Sequence, residues 1–163
     1  MTGNLEYKYR GARALVILHE QNLRNFLDVW RRFKASSLPL PSTSDPSYAS
    51  TEKLLLHVIR AARGYMTWMC EKLELPDPGI RPAPGEDQVE SEAEVYLEHV
   101  LERWKLPLID VTEAEADGLA YESRWGVPYS IDAMLEHAAM HPVRHAFQLQ
   151  ELLGQSDSLQ DRR

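Results

Sequence analysis

The 163-residue chain contains a single cysteine and fewer basic than acidic residues. One cysteine excludes an intrachain disulfide framework, and it also excludes zinc or iron–sulfur sites built from several cysteines. Lysine and arginine number 18 against 25 aspartates and glutamates, which gives a net charge of −7. Nucleic acids and anionic membranes both require a basic surface, so neither is expected as a partner.

Long apolar runs are also missing. No stretch approaches the roughly 18 consecutive apolar residues of a transmembrane helix, and the first residues lack the apolar region of a secretory signal. We therefore expect a cytoplasmic protein. Apolar residues make up 44% and charged residues 26% of the chain, which is enough to bury a core. The length suits one domain, predicted over residues 1–154 and followed by a polar, frayed tail over 155–163.

Four segments have the spacing of apolar residues that is typical of amphipathic helices. These segments are residues 10–35, 52–73, 91–106 and 131–153. The connections over 36–50 and 74–90 are rich in proline, and no segment alternates long enough to predict a strand. The predicted fold class is all-α, a four-helix bundle with long crossover loops, in which simple up-down-up-down order need not hold.

Capping residues predict where several helices begin and end. Ser50 or Thr51 is suited to cap the second helix. Capping boxes are predicted at Ser91–Glu94, opening the third helix, and at Thr112–Glu115, opening only a turn or two. Gly154 predicts the end of the last helix.

Three of the six histidines lie in one stretch of the last helix, HAAMHPVRHAFQ, at His137, His141 and His145. The apolar residues of this helix place His141 and His145 on its buried side. Residues four apart are separated by about 40° and one turn, so both imidazoles can reach one ion. Burying two imidazoles together otherwise costs desolvation and mutual repulsion. The spacing favours a metal site, and two hydrogen-bonded core histidines are the structural alternative.

A transition metal needs a further ligand, and His57 in the second helix is the best candidate. Gly64 and Trp68 each lie about 20° from His57 around that helix. A glycine leaves room and a tryptophan can form a wall, so both residues are predicted to line a pocket. Three neutral imidazoles with an open fourth position are typical of a catalytic zinc or nickel site rather than a closed structural one.

Further polar residues are candidates for the pocket or for support of the ligands. His19 and Asn22 interrupt the apolar side of the first helix, where they could line the pocket, support a ligand or hydrogen-bond within the core. His137 lies one turn before His141 and is an alternative ligand or a supporting partner. Cys70 lies on the far side of the second helix and is predicted to be a core thiol.

A histidine early in the second helix, followed by HxxxHxxxH running into Gln148, resembles the DinB/YfiT-like superfamily of metalloenzymes, which is distinct from the similarly named DNA polymerase. The stretch YESRWGVPYSIDAMLEH before the last helix resembles that family as well. The resemblance implies an up-down-down-up bundle, a homodimer, and a divalent metal held by His57, His141 and His145. Relatives often have HRGQ where this chain has HAFQ at 145–148, a departure that affects packing behind the site and no ligand.

The resemblance also implies a function, because some related proteins are metal-dependent transferases or isomerases that use low-molecular-weight thiols. We therefore expect zinc, nickel or iron to activate such a thiol for S-transfer to a small-molecule substrate, or to activate water for hydrolysis. His19, Asn22 or His137 would move protons or support the ligands. The competing prediction is a non-catalytic metal-binding or structural bundle in the stress response, acting as a dimer or partner-binding module.

Overall fold

The computed structural model describes residues 5–160, with side chains to Gln155, and in this range the chain is mostly helical. The helices are α1 (Arg10–Ser36), α2 (Thr51–Lys72), α3 (Val89–Trp104), α4 (Glu113–Gly118) and α5 (Ile131–Gln160), with a 3₁₀ turn at Pro46–Tyr48. An antiparallel hairpin of β1 (Tyr121–Glu122) and β2 (Pro128–Tyr129) precedes α5. The prediction of an all-α fold is confirmed. None of the helices described combines the length and hydropathy needed to cross a bilayer.

Two of the predicted caps are confirmed. The Ser50 side chain accepts a hydrogen bond from the Lys53 amide at the start of α2. Thr112 and Glu115 form the reciprocal capping box of α4. Each cap satisfies amide groups that have no partner in the first turn of a helix.

Two predicted boundaries are wrong. Ser91 is not the cap of α3, because a turn from Gly85 to Gln88 already leads into the helix, and the Ser91 hydroxyl donates to the Gln88 carbonyl. Gly154 does not end α5, which continues to Gln160. A glycine costs a helix only about 1 kcal/mol relative to alanine, and no proline follows to end the helix. Residues 161–163 of the predicted tail lie outside the described residues.

The long helices pack on one another through a core rich in aromatic side chains. α1 packs mainly along α5, and α2 contacts both α3 and α5. Hydrogen bonds join the helices at several levels: Asn22 Nδ2 donates to the Ala139 carbonyl at 2.9 Å, and Trp104 Nε1 donates to the Ala62 carbonyl at 3.1 Å. This packing holds α2 and α5 side by side, which positions the histidines described below.

His19 is part of this core. It is only 1% exposed, and its ring stacks on Trp104 with the centroids 3.7 Å apart. Neither ring nitrogen has a hydrogen-bond partner among the described residues. Burial lowers the pKa of His19 to about 3, so the ring stays neutral and acts as an aromatic contact between α1 and α3.

We expect His19→Leu to be less sensitive to acid than the wild type. The pKa of His19 falls from 6.5 in the unfolded chain to about 3 in the folded one, so the wild type loses stability as the pH falls below 6.5. Between about pH 7.5 and about pH 5, the variant should lose about 2 kcal/mol less unfolding free energy. Urea titrations at both pH values measure this, and His19→Phe, which keeps a ring on Trp104, should behave like His19→Leu. Equal losses in all three proteins would contradict a neutral buried His19.

Candidate metal centre

The side chains of His57, His141 and His145 meet between α2 and α5. Their ring centroids are 4.8, 4.8 and 5.1 Å apart, and one nitrogen of each lies within 4.8 Å of the others. Nε2 of His57 is 3.0 Å from Nε2 of His141. Two nitrogens bound to one tetrahedral zinc lie about 3.4 Å apart. The prediction that these three histidines lie close enough to hold one metal ion is confirmed.

Helix geometry explains this meeting. His141 and His145 are one turn apart on α5 and are 6% and 5% exposed, so both face the packed interior. Pro142 lies between them without ending the helix. His57 is in the second turn of α2 and faces α5, so its ring meets those of His141 and His145.

Burial keeps these rings neutral. It lowers the pKa of His57, and it lowers the pKa of His145 to about 4 and that of His141 to about 2, where the neighbouring histidines add to the effect. The nearby Asp45 carboxylate opposes the shift at His57 and His145. Asp45 is itself held by hydrogen bonds from the amide and hydroxyl of Ser47. Neutral imidazole is the form that binds metals.

Tyr48 and Gln148 orient the ring of His145. Nδ1 of His145 lies 3.0 Å from Oε1 of Gln148 and 2.9 Å from the Tyr48 hydroxyl, and that hydroxyl donates to the same Oε1. An amide oxygen only accepts hydrogen bonds, so Nδ1 carries the proton and Nε2 keeps its lone pair for a metal. Tyr48 was missed in the sequence because it lies in a proline-rich connection. The Asp45–Pro46 pair, which opens the 3₁₀ turn, was the one signal in the sequence that this connection contains a turn.

A cavity of about 630 Å³ adjoins the cluster, and His57 is one of its lining residues. Gly64 and Trp68, the residues predicted to line a pocket, lie along the same side of α2 and also line this cavity. Trp125, from the loop of the hairpin, is a further lining residue. The indole of Trp68 donates to the Glu122 carbonyl at 3.1 Å, which ties the hairpin to α2.

His137 lies beside the cluster but is not among its grouped donors. Its ring stacks on Trp125 at 5.3 Å and lies 6.4 Å from His141. The rings of Tyr65 and Tyr129 approach it edge-on at 5.4 and 5.5 Å. This position suits a supporting role in the aromatic wall better than direct ligation.

His19 and Asn22 are not among the residues that line the cavity. The inward face of α1 directs them to neighbouring helices, where His19 stacks on Trp104 and Asn22 bonds to α5. Of the three roles predicted for these residues, hydrogen bonding within the core is the one that Asn22 has. His19 packs in the core without a hydrogen bond to any described residue. Cys70 is a buried free thiol outside the histidine cluster, as expected.

Gln148→Leu removes the acceptor that holds the Nδ1 proton of His145. We expect the affinity for Zn²⁺ to fall by about tenfold or more, because partners of ligating histidines have effects of that size. Competition with a chromophoric chelator measures the affinity. Gln150→Leu, at an exposed position of the same helix, is the matched control. An unchanged affinity in Gln148→Leu, or an equal loss in Gln150→Leu, would contradict an orienting role for Gln148.

Comparisons of this chain with models of known protein families, with curated proteins and with solved structures found no match. Membership of the DinB/YfiT-like superfamily therefore stays a prediction. What is known of the site comes from its own geometry: three neutral histidines close enough to bind one metal ion, beside a cavity.

Proposed function

We propose that this protein binds a divalent transition metal through His57, His141 and His145 and acts on a small molecule in the adjoining cavity. The observation that carries the proposal is that His57 belongs both to the cluster of three neutral imidazoles and to the cavity wall. In the part of the chain that the structure describes, no other histidine, cysteine or carboxylate is grouped with these donors. Three protein ligands leave a coordination position for a substrate.

The donor set fits zinc, nickel or iron, since imidazole nitrogen suits all three. Such a metal, when bound, supplies Lewis-acid activation of a thiol or of water near neutral pH. The protein's own contribution is to hold the ion with neutral rings, to orient His145 through Gln148, and to enclose the reactants between α2 and the hairpin. His137 is not among the residues that line the cavity, and its contribution is to support Trp125, on which its ring stacks.

Thiol S-transfer is the reaction that we favour, with a low-molecular-weight thiol as the co-substrate. Its support is the resemblance of the HxxxHxxxH motif to the DinB/YfiT-like superfamily, in which metal-dependent transferases and isomerases use such thiols. Metal-assisted hydrolysis is the alternative chemistry for the same site.

The proposal includes the architecture of that superfamily, an up-down-down-up bundle that forms a homodimer. Two interhelical hydrogen bonds support a parallel α1 and α5, as this order of helices requires. Tyr9 bonds to Asp132 and Asn22 bonds to Ala139, so both contacts advance along the two helices in the same direction. The homodimer is supported by the resemblance alone.

A non-catalytic role is the second candidate, and one observation favours it. The 3.0 Å separation of the Nε2 atoms of His57 and His141 is a hydrogen-bond distance, so two neutral rings can satisfy each other without a metal. In that case the cluster is a polar part of the core, and the protein is a structural or partner-binding bundle.

Metal content separates these two functions. Untagged wild-type protein should contain nearly one equivalent of zinc, nickel or iron, as measured by elemental mass spectrometry. His57→Ala and His141→Ala should each lose it, because two imidazoles hold a transition metal weakly. His99→Ala, which removes a histidine outside the cluster, should retain it. A wild type without metal and without tight uptake on titration would favour the structural bundle.

Cobalt substitution tests whether a coordination position is open. Addition of 2-mercaptoethanol to the Co²⁺ protein should produce a sulfur-to-cobalt charge-transfer band, because a thiolate can occupy the position that the protein leaves free. The band should be absent from His141→Ala under the same conditions. A Co²⁺ spectrum that thiol leaves unchanged would indicate a closed site and favour the non-catalytic role.

A further inference from the structure

We infer that the cavity beside His57 binds small organic anions, in which a carboxylate or phosphate group is attached to an apolar or aromatic body. The inference deepens the proposed function, because it names the substrate class of the same site. Recognition of the anion by the cavity does not itself depend on the metal, so the two proposals can fail separately.

The charges that line the cavity favour an anion. Three cations, Lys53, Arg60 and Arg124, line it against one carboxylate, Glu86. No salt bridge between described residues involves any of these cations, whereas Arg24 on α1 is paired with glutamates. In a chain of net charge −7, this grouping creates a local positive field that attracts anions.

The geometry of α2 brings two of these cations into line with the histidine cluster. Lys53, His57, Arg60 and Gly64 follow one another at spacings of three or four residues, so they share one side of the helix. Arg124 approaches the same side from the hairpin: a methyl group added at Gly64 would lie 3.5 Å from Nη1 of Arg124. This is an ordinary van der Waals distance, so the guanidinium group of Arg124 lies beside α2 at Gly64, next to the cations of the helix.

The loop that carries Arg124 is held by its own hydrogen bonds. The Ser123 amide donates to the Val127 carbonyl at 2.9 Å, and the Val127 amide donates to the Ser123 hydroxyl at 3.1 Å. Ser123 is buried, and the neighbouring Glu122 carbonyl accepts the bond from Trp68. A guanidinium presented from a tethered backbone loses less conformational entropy when it binds a ligand, and its planar donors fit carboxylate and phosphate oxygens.

The remaining walls suit the apolar part of such a ligand. The apolar lining comes from the 3₁₀ turn, α2, the hairpin loop and α5, and its larger side chains are Leu56, Tyr65, Trp68, Trp125 and Met134. The cavity volume of about 630 Å³ is within the ordinary range for small-molecule sites. A binding surface for a nucleic acid would instead need cations spread along an extended face.

Isothermal titration with 4-phenylbutyrate, phenyl phosphate and the uncharged 4-phenylbutyramide tests this inference on the full-length protein as purified. We expect at least one of the two anions to bind, and the amide to bind at least about tenfold more weakly. Arg60→Gln and Arg124→Gln should each weaken binding of the anion by about tenfold, since each removes a charged hydrogen-bond donor. Arg32→Gln, an exposed cation on α1 outside the cavity lining, is the matched control and should bind like the wild type.

The inference is overturned if neither anion binds, if the amide binds as well as the acids, or if Arg60→Gln and Arg124→Gln bind like Arg32→Gln. The same titrations after dialysis against a chelator separate it from the metal proposal. Binding that survives the loss of metal supports the inference, and it does so even if the purified protein contains no metal and the proposed function fails. Binding that disappears with the metal, yet persists in Arg60→Gln and Arg124→Gln, would assign anion recognition to the ion and overturn the inference.

Discussion

Three imidazoles packed against one another, two of them buried and His57 half-buried, are compatible with the core only if all of them stay uncharged. A single proton in this cluster would place a cation in the core beside two further basic groups, at a high cost in desolvation and repulsion. The packing of α2 on α5 meets this condition, because burial lowers the pKa of the rings. The amide oxygen of Gln148 raises the pKa of His145 and so opposes burial, but it fixes the proton of the neutral ring on Nδ1. The same condition prepares the rings for a metal, since a neutral imidazole releases no proton when it coordinates.

Much of this centre was predictable because helices have a regular geometry. The apolar residues of the last helix indicate which side is buried, and a fixed rotation per residue then places His141 and His145 together on that side. The same rotation relates His57 to Gly64 and Trp68, which share one cavity wall. Of the two predicted capping boxes, only one forms. Thr112 caps α4 as predicted, but α3 begins at Val89, ahead of Ser91.

The parts that escaped prediction come from segments without a regular period. Tyr48 lies in a 3₁₀ turn inside a proline-rich connection, and Arg124 lies in a hairpin whose strands have two residues each. Strands this short show no alternation of apolar and polar residues. His19 could be named from the sequence but its neighbour could not, since the period of α1 predicts that it faces inward but not which helix it meets. Only the packing of α1 on α3 shows that its neighbour is Trp104.

The hairpin between α4 and α5 has a consequence for how this protein can change over evolutionary time. It supplies Arg124 and Trp125 to the cavity, but it contributes no side chain to the histidine cluster. Exchanges at these two exposed positions would reshape one wall of the cavity while the three rings and the helical core remain as they are. Substitutions in a short loop can therefore change the ligand preference without altering the helices on which stability depends.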